Sequence, residues 1–288
     1  MQSLILKRYP IIGPINMDGA SSNYRKDCTL MCEKGEVEEP WFGFNQEFFL
    51  TTPDGRPLGW PPGGFPAPPG PYYCAIGANK IVGPSPGITA ADDLWMARYI
   101  LSRLAEEYGT VATFEPQPVP DWPGNGTFAY FSSKDMREED GILVIERAID
   151  KLSRRHGVHI NEYDAHNGAD NARRLTGKNG MPNIRDFTAG VANRCCSVRI
   201  PRQVSEDKHG YLEDRRPAAN ADPYRIISIL LKTYLPIWYF DGSNTAQAAT
   251  DNSDTFIFPQ VIYQDPFRRG SHIMVLADTY QHNYQPTH

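Results

Sequence analysis

The chain has 288 residues, of which 40% are hydrophobic and 22% charged, with a formal net charge of −5 and a pI near 5.8. That mix excludes a chain disordered throughout and allows one large domain or two ordinary ones. The acidic balance argues against nucleic acid or an anionic membrane surface as the main partner, while leaving room for a local basic pocket.

The first residues, MQSLILKRYPIIGP, are broken by Lys7, Arg8 and Pro10 and do not read as a secretory leader. No apolar run is long enough to span a bilayer. The cysteines, Cys28, Cys32, Cys74, Cys195 and Cys196, are odd in number and form no C-x-x-C pair. Reduced thiols in a soluble cytoplasmic protein are the expectation.

Residues 1–40 give no clear element. Trp41 to Leu50 (WFGFNQEFFL) predicts a buried strand. Pro53 to Pro71 is too rich in Pro and Gly for a helix or a central strand, and its aromatics suggest a loop packed on a core. A helix is predicted from Thr89 as cap, through Leu94, Ala97, Leu101, Leu104 and Tyr108, ending at Gly109. A second runs from about Gly141 to His156, with Gly157 following, and a third starts at Asp222-Pro223. Short strands are predicted at Thr110–Glu115, Thr127–Ser132, Cys196–Ile200, Phe256–Tyr263 and His272–Asp278. Helices and strands do not alternate regularly, so the fold class is α+β and not a doubly wound parallel sheet.

The chemistry concentrates in residues 171–217, which read NARRLTG, GVANR, SVRIPR and YLEDRRPAAN in turn. They bring Arg173, Arg174, Arg194, Arg199, Arg202, Arg215 and Arg216 around a strand and its loops. Guanidinium forks hold phosphate and carboxylate bidentately, which suits phosphoryl transfer. Spacing alone leaves open a set of solvated arginines paired with Asp and Glu. The glycines at 59–70 lack the Lys-Ser/Thr ending of a P-loop. His156 and His159 are read as surface histidines, Cys195 as a packed or inert thiol, and DNSD at 251–254 as a polar turn.

These segments resemble the signature region of animal-type glutamine synthetase. The resemblance extends through KDMREEDGILVIERAIDKLSRRH, ITAADDLWMARYIL, PLGWPPGGFPAPPGPYYCAIGANK and WFGFNQEFFL, and so over most of 41–223. The segment LPIWYFDGSNTAQAATDNSDTFIFPQVIYQDPFRRGSHIMVLADTY resembles the family's N-terminal small domain, yet here it stands last. The resemblance therefore implies a permuted order. After an ill-defined stretch at 1–40 comes a larger domain at 41–234 with a curved antiparallel sheet and flanking helices. A small β-grasp-like domain follows at 235–288.

The family joins ammonia to glutamate at the expense of ATP, through γ-glutamyl phosphate, with Mg²⁺ or Mn²⁺ bridging carboxylates and phosphates. By resemblance Glu47 and Glu213 are metal ligands, and Arg174, Arg194 and Arg199 bind substrate and ATP. Gly190 lies in the glutamate-binding loop, and Arg215 and Asp241 are catalytic. In the family this Asp completes a neighbouring subunit's site, so a homo-oligomeric ring is implied. The departures are as specific. Asn45 stands for the first Glu of an E-x-E strand, Phe128 for a metal-binding His, and Gly180 for the Glu of a flap. A block carrying two further metal-ligand glutamates is absent between Gly83 and Gly87. Impaired synthetase activity is the expectation, with a non-catalytic nucleotide-binding, structural or regulatory subunit as the alternative.

Overall fold

The computed structural model describes residues 22–60, 82–120, 122–178 and 180–236. Asp241, the segment 237–288 with its two expected strands and its DNSD turn, Cys74 and most of the Pro-rich stretch lie outside the described residues. Most of the small domain that would carry the permuted order lies there too.

A six-stranded sheet organises the described chain, in the order β3 (Val82–Pro86), β1 (Trp41–Gln46), β5 (Thr127–Ser132), β8 (Leu212–Asp214), β7 (Val198–Ile200), β6 (Ala189–Val191). Neighbours pair antiparallel except β6 and β7, which are parallel. The sheet is thus mixed, where an antiparallel one was expected. The cause is the tight return at 192–197. Ala192 takes a left-handed turn with φ 53°, Asn193 Oδ1 accepts from Cys195 N at 2.8 Å, and Val198 N donates to Thr188 O at 3.0 Å. A separate two-stranded ribbon joins β2 (Phe49–Thr51) to β4 (Val111–Thr113). The single strand expected over Trp41–Leu50 is therefore two strands in two sheets, broken at Glu47 and Phe48. β3 covers the outer edge of β1, and its Pro84 and Pro86 lack the N–H that would recruit another strand.

Side chains on a strand alternate between faces. Phe42 and Phe44, Ala129 and Phe131, Val198 and Ile200, and Leu212 turn to one face and join the hydrophobic core. Phe42 stacks on Phe131 with centroids 5.3 Å apart. Helix α1 (Arg25–Lys34), α2 (Thr89–Glu107), α4 (Ile142–Arg154) and α8 (Pro223–Tyr234) supply the rest of that core through Cys28, Leu94, Ile145, Ile149, Ile227 and Leu231. Burying an aliphatic side chain of this size contributes about 1.5–3 kcal/mol.

Helix ends follow the sequence where side chains cap them. Asp222 accepts from Tyr224 N at 2.8 Å and from Arg225 N at 3.3 Å, with Pro223 in the first turn, as predicted. Thr89 instead lies inside α2, and Asp92 is drawn to Arg25 and Tyr224 at 2.7 Å each. Gly157 does not end a helix but lies within α5 (His156–Glu162). The short helices α3 (Lys134–Arg137), α6 (Ala169–Arg174) and α7 (Arg202–Asp207) carry too few turns for periodicity to announce them.

Candidate active site

The face of the sheet turned away from the helices carries Glu213 and Arg199. Pairing register makes one row across five strands: Gly43 opposite Tyr130, Tyr130 opposite Glu213, Glu213 opposite Arg199, and Arg199 opposite Gly190. Asn45 lies opposite Phe128 in the next row. The sequence-predicted Glu213, Arg199 and Gly190 are thus brought together, and Arg215 joins them from the end of β8.

Glu213 is 1% exposed, and both of its oxygens are taken by arginine. Arg215 Nη1 donates to Oε1 at 2.9 Å, and Arg199 Nε pairs with Oε2. The Arg215 guanidinium lies over the Phe128 ring, 4.2 Å from its centroid, and its Nε donates to Arg194 O at 3.0 Å. Arg194 itself is exposed. A cation over an aromatic face is attracted by the ring quadrupole, so Phe128 works as a platform for Arg215.

Glu47 sits just beyond β1. Its backbone N donates to Gly126 O at 2.9 Å, and its carboxylate accepts from Gly126 N at 2.8 Å. Burial pushes this carboxyl above its ordinary range, and the charge on Glu213 adds to the rise against the pull of Gly126, Arg174 and Arg215. Burial likewise pushes the Tyr130 hydroxyl up to about 12, with Glu213 contributing.

Arg174 was expected to hold substrate. It is 1% exposed instead, and its Nη2 donates to the carbonyls of Arg216 at 2.7 Å and Pro217 at 3.1 Å and to Asn171 Oδ1 at 3.1 Å. It braces the loop that carries Arg215. Two glycines make room for it: a Cβ at Gly124 would lie 2.3 Å from Arg174 Cγ, and one at Gly126 would lie 2.5 Å from the Phe128 ring. Gly180 lies in a turn with φ +77°, beside Met181, whose Sδ accepts from Arg174 Nη1 at 3.7 Å.

On the other face of β8 lies a network that the sequence reading missed. Arg216 forks onto Asp214, with Nε to Oδ1 at 2.9 Å and Nη2 to Oδ2 at 2.7 Å. Tyr163 OH donates to Asp214 Oδ2 at 2.7 Å and meets His159 Nδ1 at 2.6 Å, and His159 Nε2 meets Thr233 Oγ1 at 2.8 Å. Asp214, Arg216, Tyr163 and His159 are all fully buried. His156, half-buried, bonds Arg216 and Ile184 O. Neither histidine is the surface residue expected, because each has found an internal partner for both ring nitrogens. Cys195 is exposed at the rim, while burial pushes the Cys196 thiol up to about 12.

A divalent-metal clamp needs several oxygen ligands converging on one ion. Among the described residues no group of three or more His, Cys, Asp or Glu does so. Glu213 spends both oxygens on guanidiniums, and Phe128 offers no ligand atom. The residues present do not fit the metal cluster.

No family model matches the chain. A glutamine synthetase 2 cytoplasmic of Drosophila melanogaster is 47% identical to it over 248 residues, 74% of this chain and 67% of the relative. A glutamine synthetase of Rattus norvegicus is 45% identical over 256 residues, 76% of this chain and 69% of the relative. The chain belongs to the glutamine synthetase family. Aligned with the fly relative, this glutamine synthetase-family chain gives only 74% of its 288 residues to 248 positions. Part of the relative's aligned length therefore stands opposite gaps here. Among solved structures, ligand-free GmaS superposes with a TM-score of 0.56 at 19% identity, over 79% of this chain and 64% of that one. A GmaS/ADP complex gives 0.55 at 20% identity, over 73% and 58%. The chain spans less than two thirds of those structures, and at such identity they speak for the fold.

Among the described residues no helix is long and apolar enough to cross a membrane.

Proposed function

We propose that this chain is a glutamine synthetase-like, ATP-dependent ligase whose joining of ammonia to glutamate through γ-glutamyl phosphate is strongly impaired. One observation carries the reading: the buried Glu213 carboxylate is neutralised by Arg199 and Arg215, where the family chemistry calls for a carboxylate free to hold Mg²⁺ or Mn²⁺. The arginines retain a part in that chemistry. Arg199, Arg194 and Arg215 would orient the anionic groups of glutamate and ATP, with Gly190 letting a ligand approach the backbone. Asp241 would act on ammonium in a neighbouring subunit of a cytoplasmic ring.

Holding charge without a metal clamp gives up much of the electrostatic stabilisation of a transferring phosphoryl group. The test is glutamine formation from glutamate, ammonia and MgATP, run beside the Drosophila relative. A rate at least 100-fold below the relative's is expected, and a rate equal to it overturns the reading. A second reading is a nucleotide-binding, structural or regulatory subunit, favoured by arginines that survive where metal-ligand positions carry Asn45 and Phe128. It predicts ADP binding with no glutamine at all.

A further inference from the structure

Three other features stand out among the described residues. An open cavity of about 450 Å³ lies between Arg137–Asp140 and Asp207–His209, but its lining is a mixed surface rim with no buried polar group aimed inward. Cys28 and Cys32 stand one helical turn apart on α1, too far for an undistorted disulfide. Trp95, Tyr99, Ile100 and Leu104 are exposed on α2 without anything to identify a partner. The sheet face carries more.

We propose that this site takes a phosphate-bearing anion directly on its guanidiniums, without a divalent cation, because Arg199 and Arg215 supply the positive charge that the Glu213 carboxylate faces. The inference rests on reading this face as the substrate site, and it adds a ligand mode that the family chemistry does not use.

Three observations carry it. Arg215 is held from three sides, by Glu213, by Arg194 O and by the Phe128 ring, so its position is built in and not borrowed from solvent. Its guanidinium bonds Glu213 directly, and Arg199 pairs with the other oxygen of the same carboxylate. A doubly charged cation placed at Glu213 would be repelled by both arginines. Finally, Arg199 commits its Nε to Glu213, and its side chain remains 22% exposed next to Gly190. Its terminal nitrogens carry no hydrogen bond among the described residues. They form a fork that an anion can reach from solvent.

Asn45 and Phe128 then set the preference. They face one another across β1 and β5, and together they contribute one neutral oxygen donor and no charge.

The experiment uses the full chain and ADP as probe. Thermal unfolding is followed with and without ADP, once in excess EDTA and once in Mg²⁺, and free Mn²⁺ is measured by electron paramagnetic resonance. The expected result is the same ADP-induced rise in Tm in both media, its loss in Arg199→Ala, and no bound Mn²⁺ at millimolar concentration. The double variant Asn45→Glu, Phe128→His is expected to bind Mn²⁺ at least 10-fold more tightly. Should it fail to fold by circular dichroism, Asn45→Asp carries the same comparison. Stoichiometric Mn²⁺ on the unchanged chain, an ADP effect seen only with Mg²⁺, or no ADP effect in either medium overturns the proposal. So does a folded variant that gains no Mn²⁺. Glutamine formation at the relative's rate without Mn²⁺ binding would instead sink the impaired-ligase reading and leave this one standing.

Discussion

Asn45 on β1 lies directly opposite Phe128 on β5. Two departures from the family pattern, 83 positions apart in sequence, are therefore neighbours on one face of the sheet. A change at one leaves room or charge that the other must accommodate. Phe128 meets this by carrying Arg215 on its ring. Phe128→Leu keeps most of the apolar volume and removes the platform, which is worth about 0.5–2 kcal/mol. Urea denaturation is expected to show a loss of that size.

The two matched glutamates should answer oppositely to the same substitution. Glu213→Gln leaves Arg199 and Arg215 with an uncompensated buried charge and is expected to cost about 3–5 kcal/mol. Glu47 is held above its ordinary pKa by burial, so its charge works against the fold at neutral pH. A glutamine there keeps an acceptor for Gly126 N. Glu47→Gln is expected to leave Tm at pH 7 unchanged or raise it, whereas a fall of several degrees would mean that the negative charge is needed.

The network behind β8 gives a pH dependence. Burial first, then the Arg216 charge, holds His159 well below its ordinary 6.5, so the folded chain keeps it neutral. The unfolded chain protonates it as the pH falls through about 6.5. Its stabilising contribution is complete above that value and is lost as the pH falls toward the folded pKa, at no more than about 1.4 kcal/mol per pH unit. Tm measured from pH 7.5 to 5 should fall, and His159→Gln should flatten part of the slope. His156, lowered by burial and by Arg216, contributes to the remainder. A slope unchanged in the variant would remove His159 from the account.

Asp214 acts further down the scale. Burial pushes its carboxyl up, but Arg216 and Tyr163 more than offset this, and it lies below its ordinary 3.8. Its contribution is complete above the unfolded value and is lost as the pH falls through the folded one. Asp214→Asn should flatten the acid limb of the stability curve below pH 4, and it should lower stability at pH 7 by about 3–5 kcal/mol through the unpaired Arg216.

Gly126→Ala tests the packing around Arg174 and Phe128. A Cβ there lies 2.5 Å from the Phe128 ring and 3.1 Å from Arg174 Nη1. A loss of about 1–3 kcal/mol is expected by chemical denaturation.

The sequence announced whatever a local signal could announce. Asp222-Pro223 carries its own cap, and Thr127–Ser132 is a short run rich in apolar and aromatic residues, so α8 and β5 start where predicted. Arg199, Glu213 and Arg215 were legible as a set from their arginine-rich spacing and the family resemblance. Their mutual bonding was not, because it depends on strand register between β7 and β8. Arg174 reads like its neighbours in the sequence, and only the carbonyls gathered by the 215–217 turn reveal that it is structural. His159 was misjudged because what buries it is distant in sequence: beside Tyr163, at the end of its own helix, it meets Thr233 on α8. Nothing local foretold that Val82–Pro86 would pair along the edge of β1.

The row across the sheet begins at Gly43 and ends at Gly190, with Tyr130, Glu213 and Arg199 between them. It crosses four strand spacings, about 19 Å. Both glycines are buried, so the row is closed at its ends and open to solvent only around Tyr130 and Arg199. A bound group would meet it at a point and not along its length. A compact anion would therefore be favoured over an extended one.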